Sequence, residues 1–256
     1  VRFETEASKT DGFVQKIRDE ADKPVADVFW CNEVFNTINL AREGLLDSYT
    51  SEKTKNWPKE FTGKNNTWYG FGLRARVIAY NADRISEDAA PKTLEDTLSS
   101  KWKGRLAMAT PEFGSTSGDV ASWFAHYGQE RAVKYLEALK ANDVMIVAGN
   151  STAVKKVATG QADICFTDTD DVYVAQRDGW NIKMNMLSQN GMGPLVIPNT
   201  AAVIKDAPNK ENAALLMDFL LSKRLEEALV QSDSHNSPIH PELQEKYYKY
   251  VILNPL

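Results

Sequence analysis

The stretch ADICFTDTDDVYVAQRDG, Ala162 to Gly179, decides the fold class. Ile164, Cys165 and Phe166 form a short apolar run that reads as a buried strand. Thr167, Asp168, Thr169, Asp170 and Asp171 then set three carboxylates and two hydroxyls side by side, and a helical pattern follows on Val172, Val174 and Ala175. A strand ending in a polar turn that opens a helix is where an α/β protein places a ligand, at the carboxyl end of its sheet. A purely local reading competes with this. Thr167 and Asp170 have capping-box spacing, Asp168 or Thr167 can serve as the N-cap, and acidic residues suit a first helical turn. One cap accounts for one or two of these residues and leaves the others unexplained. Three adjacent carboxylates also repel one another and need a cation or water to offset them.

The same grammar recurs along the chain. The apolar run Ala26–Cys31 leads into Asn32 and Glu33, ahead of a helix over Asn36–Gly44. A strand over Arg105–Thr110 leads into Pro111–Gly118 and a helix from Asp119 to Tyr127. Here Ser115, Thr116 and Ser117 lie between two glycines, a composition suited to an oxyanion at a helix start. Thr116 stands at the third position of that Gly-to-Gly stretch, so it is not a nucleophile elbow. A strand over Val144–Val147 leads into Gly149, Asn150 and Ser151, with a capping residue at the next helix start. Between these, Trp68 and Tyr69 precede Arg74 and Arg76 and a strand over Val77–Tyr80. Two guanidiniums there read either as an oxyanion clamp or as a surface pair with apolar stems. Further helices are expected over Asp11–Ala21, Pro91–Ser100, Gln129–Ala141, Asn209–Gln231 and Pro241–Tyr248. Further strands are expected over Val1–Thr5, Ile182–Leu187 and Leu195–Ile204. Strand and helix alternate almost throughout, the pattern of an α/β fold. If the strands are parallel, Asn32, Ser115, Asn150 and Asp170 converge on one cleft.

Composition bounds the function. At 256 residues the chain is one large domain or two small ones, and 43% hydrophobic with 25% charged residues is ordinary for a globular protein. The net charge of −5 is dispersed with no basic block, which argues against nucleic acid. No apolar run approaches the roughly 20 residues of a membrane span, so no membrane insertion is expected. The chain opens on Val1-Arg2-Phe3, so any targeting segment lies outside it. His126, His235 and His240 are scattered without zinc-site spacing. Cys31 and Cys165 read as small buried hydrophobes.

The order of these motifs resembles the ferric-iron-type solute-binding proteins of ABC importers. The resemblance runs through Ala26–Trp30, Trp68 to Val77, Lys103-Gly104-Arg105, Gly114–Gly118, Asn150-Ser151, Gly160–Asp163, Asn212-Ala213 and Phe219–Ser222. It implies a two-lobed periplasmic-binding-protein fold of type II, each lobe a mostly parallel sheet flanked by helices, with the ligand cleft between lobes. Residues 1–81 would open lobe 1 without the family's first strand and helix, 82–194 would form lobe 2, and 195–256 would return to lobe 1. The resemblance places a small anion near Ser115 and the arginines. It places the family's iron-binding tyrosine pair at Asp170 and Asp171, and a first-lobe ligand near Asn32 and Glu33. Carboxylates are hard oxygen ligands matched to a range of cations. Cys31 and Cys165 would fall in different lobes and are expected as free thiols.

The expected function is that of an extracellular or periplasmic receptor, not an enzyme, delivering its ligand to an ABC permease. The ligand is a metal ion such as iron with a synergistic anion, or a small phosphorylated or phosphonate solute; no other cofactor is implied. Candidate ligand residues are Asn32, Glu33, Trp68, Arg74, Arg76, Ser115, Thr116, Ser117, Asn150, Ser151, Thr169, Asp170 and Asp171, the last two also as metal ligands. Two alternatives stay open: a metal-dependent phosphoester hydrolase using Asp168, Asp170 and Asp171, and a stand-alone ligand-sensing domain.

Overall fold

A computed structural model describes residues 4, 10–112, 114–187 and 193–252. The strand expected over Val1–Thr5 therefore lies outside the described residues except for Glu4. The first elements are α1 (Thr10–Asp19), β1 (Val28–Cys31), α2 (Phe35–Arg42), β2 (Leu46–Asp47) and β3 (Tyr69–Asn81). Then come β4 (Leu106–Ala109), α3 (Gly114–Tyr127), α4 (Gln129–Ala141), β5 (Met145–Val147) and α5 (Asn150–Ala158). They are followed by β6 (Ile164–Asp168), α6 (Thr169–Arg177), β7 (Ile182–Met186) and β8 (Val196–Ile204). The chain ends with α7 (Lys210–Leu220), α8 (Lys223–Gln231) and α9 (Pro241–Lys246). No helix among the described residues is long and apolar enough to cross a membrane.

The chain divides into two compact units. Unit 1 comprises Val1–Leu73, Ile197–Val230 and Ser237–Lys249; unit 2 comprises Arg74–Val196, Gln231–Asn236 and Tyr250–Leu256. Strand β3 runs through both. It is a single 13-residue strand, buried along its whole length, so the passage falls inside it at Leu73–Arg74 and not after Asn81. Arg74 and Arg76 accordingly belong to unit 2.

In unit 1, β8 pairs antiparallel with β1 from Val28↔Val203 to Cys31↔Thr200, and with β2 at Leu46↔Ile204. Phe29, Cys31, Leu40, Leu46, Ala202 and Ile204 pack with Val14 and Ile17 of α1 into its core. The start of β3 lies beside β8, and Asn199 Nδ2 donates to the Gly72 carbonyl at 2.6 Å. The helix expected over Asn209–Gln231 is broken into α7 and α8. Ser222 makes the break: its hydroxyl donates to the Phe219 carbonyl at 2.6 Å and accepts from the Leu225 amide at 3.2 Å. That is the local competition by which a serine ends one helix and caps the next.

In unit 2, β4 runs parallel to both β5 and β6, and β3 pairs antiparallel with β6 and with β7. Alternate strand residues face opposite sides. Ile78, Tyr80, Leu106, Met108, Ile164 and Phe166 share one core with Trp123 of α3 and Ala132 and Leu139 of α4. Val77, Ala79, Ala107 and Cys165 share the other with Val154 and Val157 of α5 and Val172 and Ala175 of α6. Covered on both faces, these strands are near-continuous apolar runs, as a buried parallel core requires. In α4 Ala132 is fully buried while Val133 is 36% exposed. One expectation shifts here. The segment over Pro91–Ser100 forms tight turns at Glu95–Leu98 and Ser100–Trp102, with no α-helix. The consequence for function is positional. The carboxyl ends of β4, β5 and β6 point one way and open directly into α3, α5 and α6.

Candidate functional site

Asp168 is the last residue of β6 and the N-cap of α6, in extended conformation, yet its side chain makes no capping bond. It turns into a network instead. Ser115 Oγ donates to Asp168 Oδ2 at 2.7 Å, Asn150 Nδ2 to the same oxygen at 3.2 Å, and Arg76 Nη1 to Asp168 Oδ1 at 2.7 Å. Arg74 Nη1 reaches Asp168 Oδ2 at 3.4 Å and Asp170 Oδ2 at 3.3 Å. Arg76 Nε donates to Asp119 Oδ2 at 3.0 Å, and Thr116 Oγ1 donates to Asn150 Oδ1 at 3.1 Å. Thr169 Oγ1 accepts from the Ala75 amide at 3.3 Å. The anticipated capping box does not form: Thr167 Oγ1 donates to Asp171 Oδ2 at 2.9 Å.

Each side chain is placed by its element. The antiparallel register sets Arg76 opposite Asp168, so β3 delivers its guanidinium to the end of β6. Ser115 lies in the first turn of α3, and Asp119 one turn further along the same helix face. Helix α3 begins at Gly114, five residues ahead of the expected start, so the Ser-Thr-Ser stretch is helical. Asn150 is the first residue of α5 behind an extended Gly149.

Burial makes the charges count. The side chains of Arg76 and Asp119 are 1% exposed and that of Asp168 is 2% exposed. Burial alone would raise the Asp168 carboxyl, but Arg76 and Arg74 outweigh it and hold the group below the usual carboxylate range. For Asp119 burial prevails over Arg76 and pushes the carboxyl up. Asp170 is likewise raised by burial despite Arg74. Asp171 is pushed up to about 7 by burial and then by Asp170 and Asp168. Burial opposes the charge on both guanidiniums, and the carboxylates beside them raise them above the ordinary arginine value nonetheless. Two guanidiniums face four carboxyl groups, and because Asp119, Asp170 and Asp171 are pushed up, the negative excess develops as those groups lose their protons. Asp168, Asp170 and Asp171 each offer an oxygen within 4.8 Å of the others. Asp170 Oδ1 has no hydrogen-bond partner among the described residues.

Of the residues singled out in the sequence, Arg74, Arg76, Ser115, Thr116, Asn150, Thr169, Asp170 and Asp171 come together here. Ser117 is half-buried and Ser151 exposed, and neither side chain is bonded into the network among the described residues. Asn32, Glu33 and Trp68 lie in unit 1. Asn32 is exposed. Glu33 is 3% exposed and accepts from the Phe35 and Asn36 amides at 2.7 and 3.2 Å, so its carboxylate caps α2; burial raises its pKa. Trp68 packs in the core of unit 1, and a side-chain carbon at Gly63 would fall 2.4 Å from its ring. Cys31 and Cys165 are free and buried. The arginines are not an open clamp, because Arg74 Nη1 and Arg76 Nε and Nη1 face the protein's own carboxylates. Asp119 was not among the candidates, although its place four residues after Ser115, as the acidic residue of α3, was a usable signal. Two surface depressions, about 650 Å³ near Thr54, Trp57 and Tyr69 and about 270 Å³ near Tyr80, Gln176 and Lys183, do not include the cluster.

Comparison with known proteins points in one direction. A family model described as bacterial extracellular solute-binding protein matches residues 23–253. Iron uptake protein A1 of Synechocystis is 27% identical over 235 residues, covering 88% of this chain and 65% of that protein. The major ferric iron-binding protein of Neisseria meningitidis is 26% identical over 236 residues, covering 90% of this chain and 70% of that one. The crystal structure of iron-bound HitA from Pseudomonas aeruginosa superposes with a TM-score of 0.82 at 30% identity, covering 90% of this chain and 75% of that one. This chain thus spans just under two thirds of the length of the Synechocystis relative.

Proposed function

Since the chain belongs to the bacterial extracellular solute-binding protein family, we propose that it is the receptor of an ABC importer that captures a hard cation, ferric iron foremost. The observation that carries this reading is the charge imbalance at the ends of β4, β5 and β6. Arg74 and Arg76 are taken up by internal carboxylates, and the excess is negative. Asp170 and Asp171, the half-buried members, are the oxygens a ligand would meet. Carboxylate oxygens suit a small, highly charged cation. The names of the iron uptake and ferric iron-binding relatives agree in kind. A membrane permease as partner and a periplasmic or extracellular location follow from the same proposal. A hydrolase finds less support, because Ser115 is bonded to Asp168, Asp168 to the arginines and Thr167 to Asp171.

Native mass spectrometry of the protein as purified, compared with the same sample denatured, tests this. We expect an added mass equal to a metal ion, or its appearance after incubation with a ferric salt, and its loss in Asp170→Asn. An added organic mass would replace the cation by a solute carrying an oxyanion and an ammonium. No ferric binding under any loading would overturn the cation reading.

A further inference from the structure

We propose that the Asp168 carboxylate is the protein's own resident anion: it occupies the oxyanion seat built by α3, α5 and β3, so no small anion need accompany the ligand. The proposal deepens the reading above, resting on it only for the identity of the cargo; the seat itself rests on bonds within unit 2.

The donors assembled around Asp168 are those an oxyanion needs. A hydroxyl in the first turn of α3, an amide at the first position of α5 and two guanidiniums from β3 all converge on one group. Helix starts and bidentate cations are general features of phosphate and carboxylate seats. The seat is oriented from behind as well. Thr116 donates to the Asn150 carbonyl oxygen, which turns the amide nitrogen toward Asp168 Oδ2 and Ser115 Oγ, 3.2 and 2.8 Å away. Asp119 fixes Arg76 through Nε. A carboxylate has about four acceptor positions, and Asp168 receives four donors. The remaining Arg76 nitrogen, Nη2, is buried without a partner among the described residues and out of reach of solvent.

The occupant arrives by a short tether. Asp168 is the residue that ends β6, and its side chain forgoes capping its own helix to fill the seat. A group held this way competes at an effective concentration a free anion cannot match. Removing its side chain should therefore expose a seat that free phosphate can enter.

The test titrates inorganic phosphate into the ligand-free parent, Asp168→Gly and Asp168→Asn, read by calorimetry and by the melting temperature. The parent should show no saturable phosphate binding and no phosphate-dependent rise in melting temperature. Asp168→Gly should show both, with Ser115→Ala in that background abolishing them, and Asp168→Asn should behave like the parent because the amide still fills the seat. Saturable phosphate binding by the parent that Ser115→Ala removes would overturn the proposal, as would a natively folded Asp168→Gly that ignores phosphate. If Asp168→Gly does not fold, the parent and Ser115→Ala decide alone. Phosphate is the probe throughout, so failure of the ferric reading and failure of the resident-anion reading are separate results.

Discussion

Replacing Arg76 by methionine would test whether unit 2 is built around its buried charges. The substitution keeps a stem of similar length and removes the bonds to Asp168 at 2.7 Å and Asp119 at 3.0 Å. Asp168 retains Arg74, but Asp119 loses the ion pair that Arg76 gives it. Removing one partner of a buried ion pair costs about 3–5 kcal/mol, because the other charge stays buried. With a urea m-value of about 2–3 kcal/mol/M, the unfolding midpoint should fall by about 1–2.5 M at pH 8. The pH dependence separates charge from packing. In the variant Asp119, whose carboxyl burial already raises, loses the guanidinium that opposes that rise and moves further above its unfolded value of about 3.9. A raised carboxyl contributes stability that is present at low pH and lost as pH rises through the folded pKa, so the deficit should shrink toward pH 5. The double variant Arg76→Met/Asp119→Leu should recover part of the loss, since an apolar pair of similar volume replaces a buried ion pair at little cost. Urea unfolding followed by circular dichroism at both pH values reads all three. A midpoint at pH 8 within about 0.3 M of the parent, roughly 1 kcal/mol at that m-value, would refute the reasoning.

Two further outcomes follow from the same structure. Glu226 is 1% exposed and accepts from the Gly72, Ile239 and His240 amides at 3.1, 2.8 and 2.8 Å, so Glu226→Ala should cost about 3–5 kcal/mol in urea unfolding and Glu226→Gln clearly less. Equal losses would mean that packing, not the three bonds, is what the side chain supplies. Cation affinity should also depend on pH through Asp171, whose carboxyl burial and its acidic neighbours push up to about 7. Below that value the cation must displace a proton, so Kd should improve about tenfold per pH unit and then level off. A profile flat from pH 5.5 to 8 would remove Asp171 from the ligand set.

Much of this was legible in the sequence because the signals were local. The apolar run Ile164–Phe166, the polar turn after it and the helix from Thr169 were read from adjacent residues, and the turns at Ser115 and Asn150 likewise. Parallel pairing of β4, β5 and β6 then brings those three turns together. Glu33 stayed ambiguous for a local reason as well: a carboxylate just before a helix serves equally as ligand or cap, and here it accepts from the Phe35 and Asn36 amides. The broken helix at Ser222 was hidden because the apolar stripe of Leu216, Leu220 and Leu225 continues across the break, and periodicity does not register a hydroxyl that bonds its own backbone.

What could not be read was the charge balance. Arg76 and Asp168 are separated by 92 positions, and only the antiparallel register between β3 and β6 sets one against the other. Along the chain, guanidiniums after one aromatic segment and carboxylates after another strand read as two subsites, one for an anion and one for a cation. Folded, they largely cancel, and a ligand meets only the remainder. That remainder is negative because β3 brings two cations to a place where β6, α6 and α3 bring four carboxylates. The inference from motif to ligand therefore has to pass through the sheet register. A single-residue slip of β3 against β6 would turn Arg74 and Arg76 together to the other face and leave Asp168 without either, since alternate strand residues point to opposite sides. The charged residues assembled at the end of β6 are thus set in place by the apolar pairs Ile78↔Phe166 and Tyr80↔Ile164, which lock that register from inside the core.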